Sequence, residues 1–149
     1  MNQNSILNLM IAHHALLETL LAVFKDEFKA DSVAAATALD EFKWEWEKHV
    51  FGEEKVIFKF CGGGETTLCQ VVHELVAEHI LIQETLNAFE NNLAIKTSAD
   101  IDNFHKLITE HRETEEQTLY PGLDRELDEA QKEAIIARIN QIPMKKYTG

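Results

Sequence analysis

Six histidines and glutamates interrupt the apolar stripes of this chain, and they are the side chains best suited to chemistry. They are His14, His49, Glu53, His79, His111 and Glu115. Two of the histidines are followed by a glutamate four residues later, which places both side chains on one face of a helix. Each of these pairs therefore points inward together with the apolar residues around it.

Carboxylates in such positions need a compensating charge. A glutamate that is buried without a partner is strongly unfavourable, or it becomes protonated. A bound cation supplies the missing charge and accepts lone pairs from imidazole and carboxylate alike. This mixed set of ligands suits iron, zinc, manganese or copper, and it is too large for one tetrahedral ion. The pattern therefore predicts two metal ions with carboxylates able to bridge them, and it disfavours iron–sulfur chemistry because no stripe carries a cysteine.

The identity of the first ligand has two interpretations, because His13 and His14 are adjacent. His13 lies on an apolar stripe of its own. His14 is preferred because apolar residues follow it at the same spacing as they follow His79. A bundle without metal is the alternative to the whole set, since a single histidine on an apolar stripe is more often a core residue than a ligand. The metal hypothesis depends on the coincidence of all six positions.

Several polar neighbours have less certain roles. His73 and His105 each lie six residues before a predicted ligand, so we expect them at the surface or beside the site. Glu54 and Glu116 directly follow the two candidate ligand glutamates. They could accept hydrogen bonds from ligand imidazoles, or they could be exposed.

Helices must position these side chains, because apolar residues recur at helical spacing between the glycines and prolines. The fold class predicted is all-α: an up-down-up-down four-helix bundle with a short C-terminal helix, in one domain over residues 1–149. We expect Asp31 or Ser32 to cap the second helix and Thr67 with Gln70 to cap the third. The first helix is expected over about Asn4–Lys29, and the second should stop at Gly62–Gly64. The fourth should start at Thr97 or Ser98 and end before Pro121 and Gly122. The last should run over about Glu129–Asn140, after a cap formed by Asp128 with Gln131. Phe60 is predicted to lie on the core stripe of the second helix.

The chain also repeats weakly. HVFGEEKVIF in the second helix resembles HRETEEQTLY in the fourth, with histidine on histidine and a pair of glutamates on a pair of glutamates. The first and third helices share a histidine followed by apolar residues three, seven and ten positions later. The sequence therefore predicts two similar helix pairs that pack face to face.

Charge and composition exclude some partners. The formal net charge is −12, which argues against binding to nucleic acids and to anionic membranes. The apolar runs are short and broken by charge, and the N-terminus lacks the features of a signal peptide, so we expect no membrane span and a cytoplasmic protein. A disulfide across the loop between Cys61 and Cys69 is one interpretation, but in that compartment two reduced thiols are expected.

These residues resemble the hemerythrin-like domain, also called the HHE cation-binding domain. The resemblance covers about Ser5 to Leu127 and is most specific in the segments HVFGEE and HRETEEQTLYP. It implies that the six residues named first are metal ligands. It also implies two non-haem irons, bridged by the carboxylates and by an oxo or hydroxo group, with an open position for dioxygen, nitric oxide or peroxide.

The motif departs from that of the oxygen-carrying hemerythrins. Those proteins have His-x-x-x-His on the third helix, where this chain has His73 and His79 six apart, and they end with His-x-x-x-x-Asp instead of His-x-x-x-Glu. The resemblance therefore implies a di-iron protein that binds or senses a small oxidant, and whether it is an enzyme stays open. The alternatives are an iron-handling protein and a di-iron enzyme that acts on peroxide or nitric oxide in stress defence.

Overall fold

The chain forms a bundle of helices, seen here in a computed structural model that describes residues 5–61 and 66–142, the side chain of residue 61 excepted. The helices are α1 (Ile6–Ala30), α2 (Ser32–Gly52), α3 (Thr67–Asn92), α4 (Ser98–Thr114), α5 (Tyr120–Glu126) and α6 (Glu129–Asn140). The first four form the bundle, and α6 is the short C-terminal helix. The predicted all-α fold class is confirmed.

Side-chain caps begin most of these helices. Asp31 accepts hydrogen bonds from the first backbone N–H groups of α2, and the pair Thr97–Asp100 forms a capping box at α4. The predicted box of Asp128 with Gln131 is present at α6. The cap predicted for α3 is wrong by one residue, because Thr66 and not Thr67 accepts from the backbone N–H of Cys69. Both threonines can cap a helix, so residue type alone did not distinguish them.

Two of the helices widen into π-helical turns at matching places. Beyond α2 the segment Glu53–Ile57 is π-helical, and beyond α4 the segment Glu115–Leu119 is π-helical. In each case the backbone N–H five residues after the glutamate donates to that glutamate's carbonyl, from Phe58 and from Tyr120. Single π turns inside α-helices occur frequently at functional sites. Both turns begin at a candidate metal ligand.

The hydrophobic core is divided into two clusters by a polar layer. One cluster lies toward the α2 N-terminus and includes Leu21, Phe42 and Phe104, whereas the other includes Ile6 and Leu75. The six candidate ligands occupy the level between the clusters, since each of α1 and α3 carries its histidine between buried apolar residues. The polar layer is thus enclosed by apolar side chains at both ends.

Two expectations about the ends of the bundle helices are wrong. Phe60 is 41% exposed instead of lying on the core stripe. The π turn and the 3₁₀ turn Phe58–Cys61 rotate the chain away from the regular helical register. Pro121 also does not end the fourth helix. It occupies the first turn of α5, where its missing N–H is not needed.

Judged by its sequence alone, α1 is also long and apolar enough to span a membrane. The expectation that no segment could span a bilayer is therefore wrong by that criterion. In the bundle the inner face of α1 is buried, including Met10, Leu17 and Phe24. A core helix of this kind also passes the same hydropathy test.

The expectation of reduced thiols is wrong for Cys69, which is disulfide-bonded. Cys69 lies in the first turn of α3 and is buried. The side chain of Cys61 and the three glycines 62–64 lie outside the described residues, as does the predicted stop of the second helix there.

Candidate metal centre

The six residues singled out by their spacing meet at one level of the bundle. Glu53 and Glu115 are fully buried, and the four histidines are 3–5% exposed. The ligand atoms form two overlapping groups, within each of which all lie within 4.8 Å of one another. One group, called here the His79 side, consists of Glu53, His79, His111 and Glu115. The other, called here the His49 side, consists of His14, His49 and Glu115.

Each glutamate faces histidines of both sides. Glu53 Oε1 lies 3.2 Å from His79 Nε2 and 3.1 Å from His49 Nε2. Glu115 Oε1 lies 3.1 Å from His14 Nε2, while its Oε2 lies 3.3 Å from His111 Nε2. A carboxylate between imidazoles of two groups is placed to bridge two cations.

Several polar atoms at the middle of the cluster have no hydrogen-bond partner among the described residues. They include His49 Nε2, His111 Nε2 and Glu115 Oε2. His111 Nε2 lies 3.3 Å from Glu115 Oε2, and His49 Nε2 lies 3.1 Å from Glu53 Oε1, yet neither pair meets in hydrogen-bonding geometry. Buried polar groups are normally satisfied. Because the free lone pairs converge on a common space, the residues present fit metal cations of the type predicted from the donor set.

The outer nitrogens of three of the four imidazoles lie against carboxylates. The Nδ1 atoms of His14, His79 and His111 lie 2.5, 2.7 and 2.7 Å from carboxylate oxygens. The carboxylates belong, in that order, to Glu116, Glu54 and Glu78. Such contacts orient a ligand imidazole and increase its basicity. Of the two roles left open for Glu54 and Glu116, hydrogen bonding to imidazole is the one observed.

Tyr120 supports the centre from the side of α5. Its hydroxyl donates to Glu53 Oε2 across 2.5 Å, and its ring centroid lies 5.8 Å from that of His14. The side chain is fully buried. Burial and the nearby charges of Glu115 and Glu53 raise the pKa of Tyr120 well above its usual value. The tyrosine therefore remains a hydrogen-bond donor and keeps Glu53 Oε1 directed toward the histidines.

Sequence analysis did not single out Tyr120 or Glu78. Tyr120 follows the glutamate pair of the fourth helix by four residues, and Glu78 directly precedes His79. Both could have been found by asking which polar groups share the histidine stripes, but acidic residues are so numerous here that Glu78 carried little signal. The fifth helix, which positions Tyr120, was not predicted because Pro121 indicated an end.

The remaining histidines lie apart from the six, and the structure brings His14 rather than His13 into the cluster. His73 is exposed, and His105 Nε2 pairs with Glu18 at the surface. His13 is half-buried beside His49, with ring centroids 6.3 Å apart. Burial, together with the charges of His49 and Lys48, lowers the pKa of His13 to about 4.

In the metal-free protein, protons on two of the histidines offset carboxylate charge. Burial lowers the pKa of His49, but the carboxylate charge of Glu53 outweighs burial and raises it to about 10. Burial has the same opposing effect on His111, where the charge of Glu115 prevails and raises the pKa to about 9. Burial favours the protonated form of Glu115, but a hydrogen bond with Glu53 and the charge of His111 lower its pKa well below the usual value. Metal binding must therefore displace protons from the imidazoles.

A small cavity adjoins the centre. It has a volume of about 10 Å³ and is lined in part by Trp46, His49, His111 and Glu115. That volume is close to the minimum that accommodates one water molecule. Trp46 also packs against three of the histidines, with ring centroids 5.7–6.2 Å from theirs. The histidines and Trp46 therefore leave little room beside the cluster.

Comparisons with known proteins agree with this geometry. The family model described as the hemerythrin HHE cation binding domain matches residues 5–123. Comparison with curated proteins and with solved structures found no match. The matched residues contain all six residues of the cluster and most of the bundle. The chain therefore belongs to the hemerythrin HHE cation-binding family.

Proposed function

We propose that this protein holds two non-haem irons between its helices and uses them to bind or sense a small oxidant. The observation that carries the proposal is the convergence of buried imidazole nitrogens and carboxylate oxygens, several of them without a hydrogen-bond partner among the described residues, on one level of the bundle. Glu53 and Glu115 would bridge the irons, while His79 with His111 and His14 with His49 would complete the two sides. Bound iron would supply reversible redox chemistry and an open coordination position.

The protein's own residues define what can reach that position. The cavity of about 10 Å³ beside Trp46 has room for about one water molecule, so only a ligand of a few atoms is compatible with it. The apolar clusters above and below the polar layer exclude bulk water. Glu54, Glu78 and Glu116 hold three of the imidazoles in fixed orientation, and Tyr120 holds Glu53.

Metal analysis of protein made in iron-replete cells tests the proposal. We expect about two irons per chain, as two positions predict, and near-ultraviolet absorption from a bridged ferric pair. Glu53→Gln and Glu115→Gln preserve side-chain size but remove the bridging charge, and each should lower iron content to less than half. Glu113→Gln is the matched control, because Glu113 is exposed on the same helix as His111. Unchanged iron content in both buried variants would refute the ligand assignment.

The same preparation separates the alternatives. A reversible spectral change with dioxygen or nitric oxide supports binding or sensing. Catalytic loss of peroxide or nitric oxide supports an enzyme of stress defence. Release of both irons to a mild chelator supports an iron-handling role. Zinc in place of iron under iron-replete growth would contradict the redox proposal.

A further inference from the structure

The two halves of the chain surround the candidate centre in the same way, with one exception. Glu54 of the first half lies 2.7 Å from His79 Nδ1 of the second, and Glu116 of the second half lies 2.5 Å from His14 Nδ1 of the first. Each of these carboxylates directly follows a candidate bridging glutamate. The weak repeat of the sequence is therefore also a repeat of the hydrogen bonds outside the centre.

The exception is His13. In one half His111 Nδ1 lies 2.7 Å from Glu78, the residue immediately before a candidate ligand. The residue at the equivalent place in the other half is His13, which lies beside His49. A histidine therefore occupies the position where the repeat predicts a fourth carboxylate.

As a result His49 lacks the support that the other three imidazoles have. Its Nε2 faces Glu53 at 3.1 Å, so the ring would bind a cation through that atom. A neutral imidazole that binds metal through Nε2 carries its proton on Nδ1 and needs an acceptor there. His49 Nδ1 is buried and has no hydrogen-bond partner within residues 5–61 and 66–142.

Solvent also approaches the centre beside His49. A cavity of about 130 Å³ is lined by the polar residues His13, Glu45, Lys48 and His49, by Gly52, by apolar residues of α1, and by Ile139 and Ile142. None of the other five candidate ligands lines it. Because His49 Nε2 faces the carboxylates, the opposite edge of the ring, with Nδ1, is the part that can face this cavity.

From these contacts we propose that the two metal positions differ in affinity, and that the His49 side holds the exchangeable ion because His13 replaces a carboxylate there. This inference rests on the proposed function, since it requires two bound ions. Two imidazoles of the His79 side are supported by carboxylates. Among the described residues, the His49 side has one such imidazole, that of His14. Loss of such an outer carboxylate typically reduces metal affinity about 10- to 100-fold.

Equilibrium competition tests the inference without measuring activity. Protein loaded anaerobically with ferrous iron is dialysed against graded concentrations of an iron chelator, and the iron left on each chain is measured. We expect one iron to leave at a chelator concentration about tenfold or more below that required for the second.

Two substitutions should reduce this difference from opposite directions. His13→Glu supplies the missing carboxylate, so the chelator concentration that removes the first iron should rise toward the one that removes the second. Glu78→Gln removes a carboxylate charge from the His79 side, so the chelator concentration that removes the second iron should fall toward the one that removes the first. His13→Gln is the matched control for the first variant, because it has a similar size without the charge, and it should leave the separation unchanged.

The outcomes distinguish this inference from the proposed function. Two irons that leave in a single step from the unaltered protein would refute unequal positions while leaving the di-iron proposal intact. If the chelator concentration that removes the first iron is unchanged in His13→Glu, the role of His13 is refuted. A chain that loads less than one iron would refute the di-iron proposal itself.

Discussion

Tyr120 donates a hydrogen bond to Glu53 Oε2 across 2.5 Å, and this contact joins α5 to the carboxylate at the end of α2. Both side chains are fully buried. The bond occupies one oxygen of Glu53 and leaves the other for the histidines. The tyrosine is therefore part of the support of the metal centre, although it contributes no ligand.

Tyr120→Phe should destabilise the protein and weaken metal binding together. The substitution leaves Glu53 Oε2 buried without its donor, which costs about 1–3 kcal/mol in unfolding free energy. The measurement is chemical denaturation of the metal-free protein, followed by iron content after identical loading. An unchanged iron content with a reduced free energy of unfolding would show that Tyr120 acts only on stability.

The carboxylates that accept hydrogen bonds from the ligand imidazoles should affect iron affinity almost as much as the ligands themselves. Glu54→Gln and Glu116→Gln each weaken the acceptor of one imidazole proton, so each should lower iron affinity about 10- to 100-fold. Glu113→Gln, which is exposed, serves again as the control. The two variants should have similar effects, because they occupy equivalent positions in the two halves. Affinities equal to that of the control would contradict this assignment.

The metal-free protein should lose stability as pH rises above neutral. The folded-state pKa values of His49 and His111 are about 10 and 9, above the ordinary value of 6.5. Their contribution is therefore complete below pH 6.5 and is lost as pH rises toward 10. The check is the free energy of unfolding of metal-free protein at pH 6, 8 and 10. His49→Gln and His111→Gln should each flatten this dependence.

At acidic pH the stability of the metal-free protein should depend on pH with the opposite sign. The pKa of Glu115 is lowered in the folded protein, so its contribution is present above the ordinary value of 4.5 and is lost as pH falls below it. We expect stability of the metal-free protein to decline below pH 4.5. A Glu115→Gln variant should show a smaller decline over the same range. An identical acid transition in that variant would contradict the lowered pKa.

Iron binding near pH 7 should release protons. His49 and His111 are protonated in the metal-free protein at that pH, and an imidazole must lose its proton to bind a cation. One proton from each histidine should therefore appear when metal-free protein is titrated with ferrous iron in weakly buffered solution. Binding without proton release would show that these imidazoles are neutral before the metal arrives.

The clustering of the six candidate ligands could be predicted from the sequence because they occupy helical stripes whose spacing is regular up to that level. His14, for example, could be preferred over His13 from apolar spacing alone, and the structure places it in the cluster. Regular spacing fails beyond Glu53 and Glu115, where each helix widens into a π turn. That change of pitch accounts for the exposure of Phe60, whereas α5 was not predicted because Pro121 indicated a helix end. The change of pitch depends on tertiary packing, which a local pattern of residue types does not record.

The near-equivalence of the two halves has a consequence for the origin of the centre. One pair of helices supplies a histidine, then a histidine with a glutamate, and the second pair supplies the same set in the same order. A single helical hairpin of about half this length, associated with an identical copy, would already bring together the complete set. Fusion of two such copies in one polypeptide then frees each to change independently, as the difference between His13 and Glu78 illustrates.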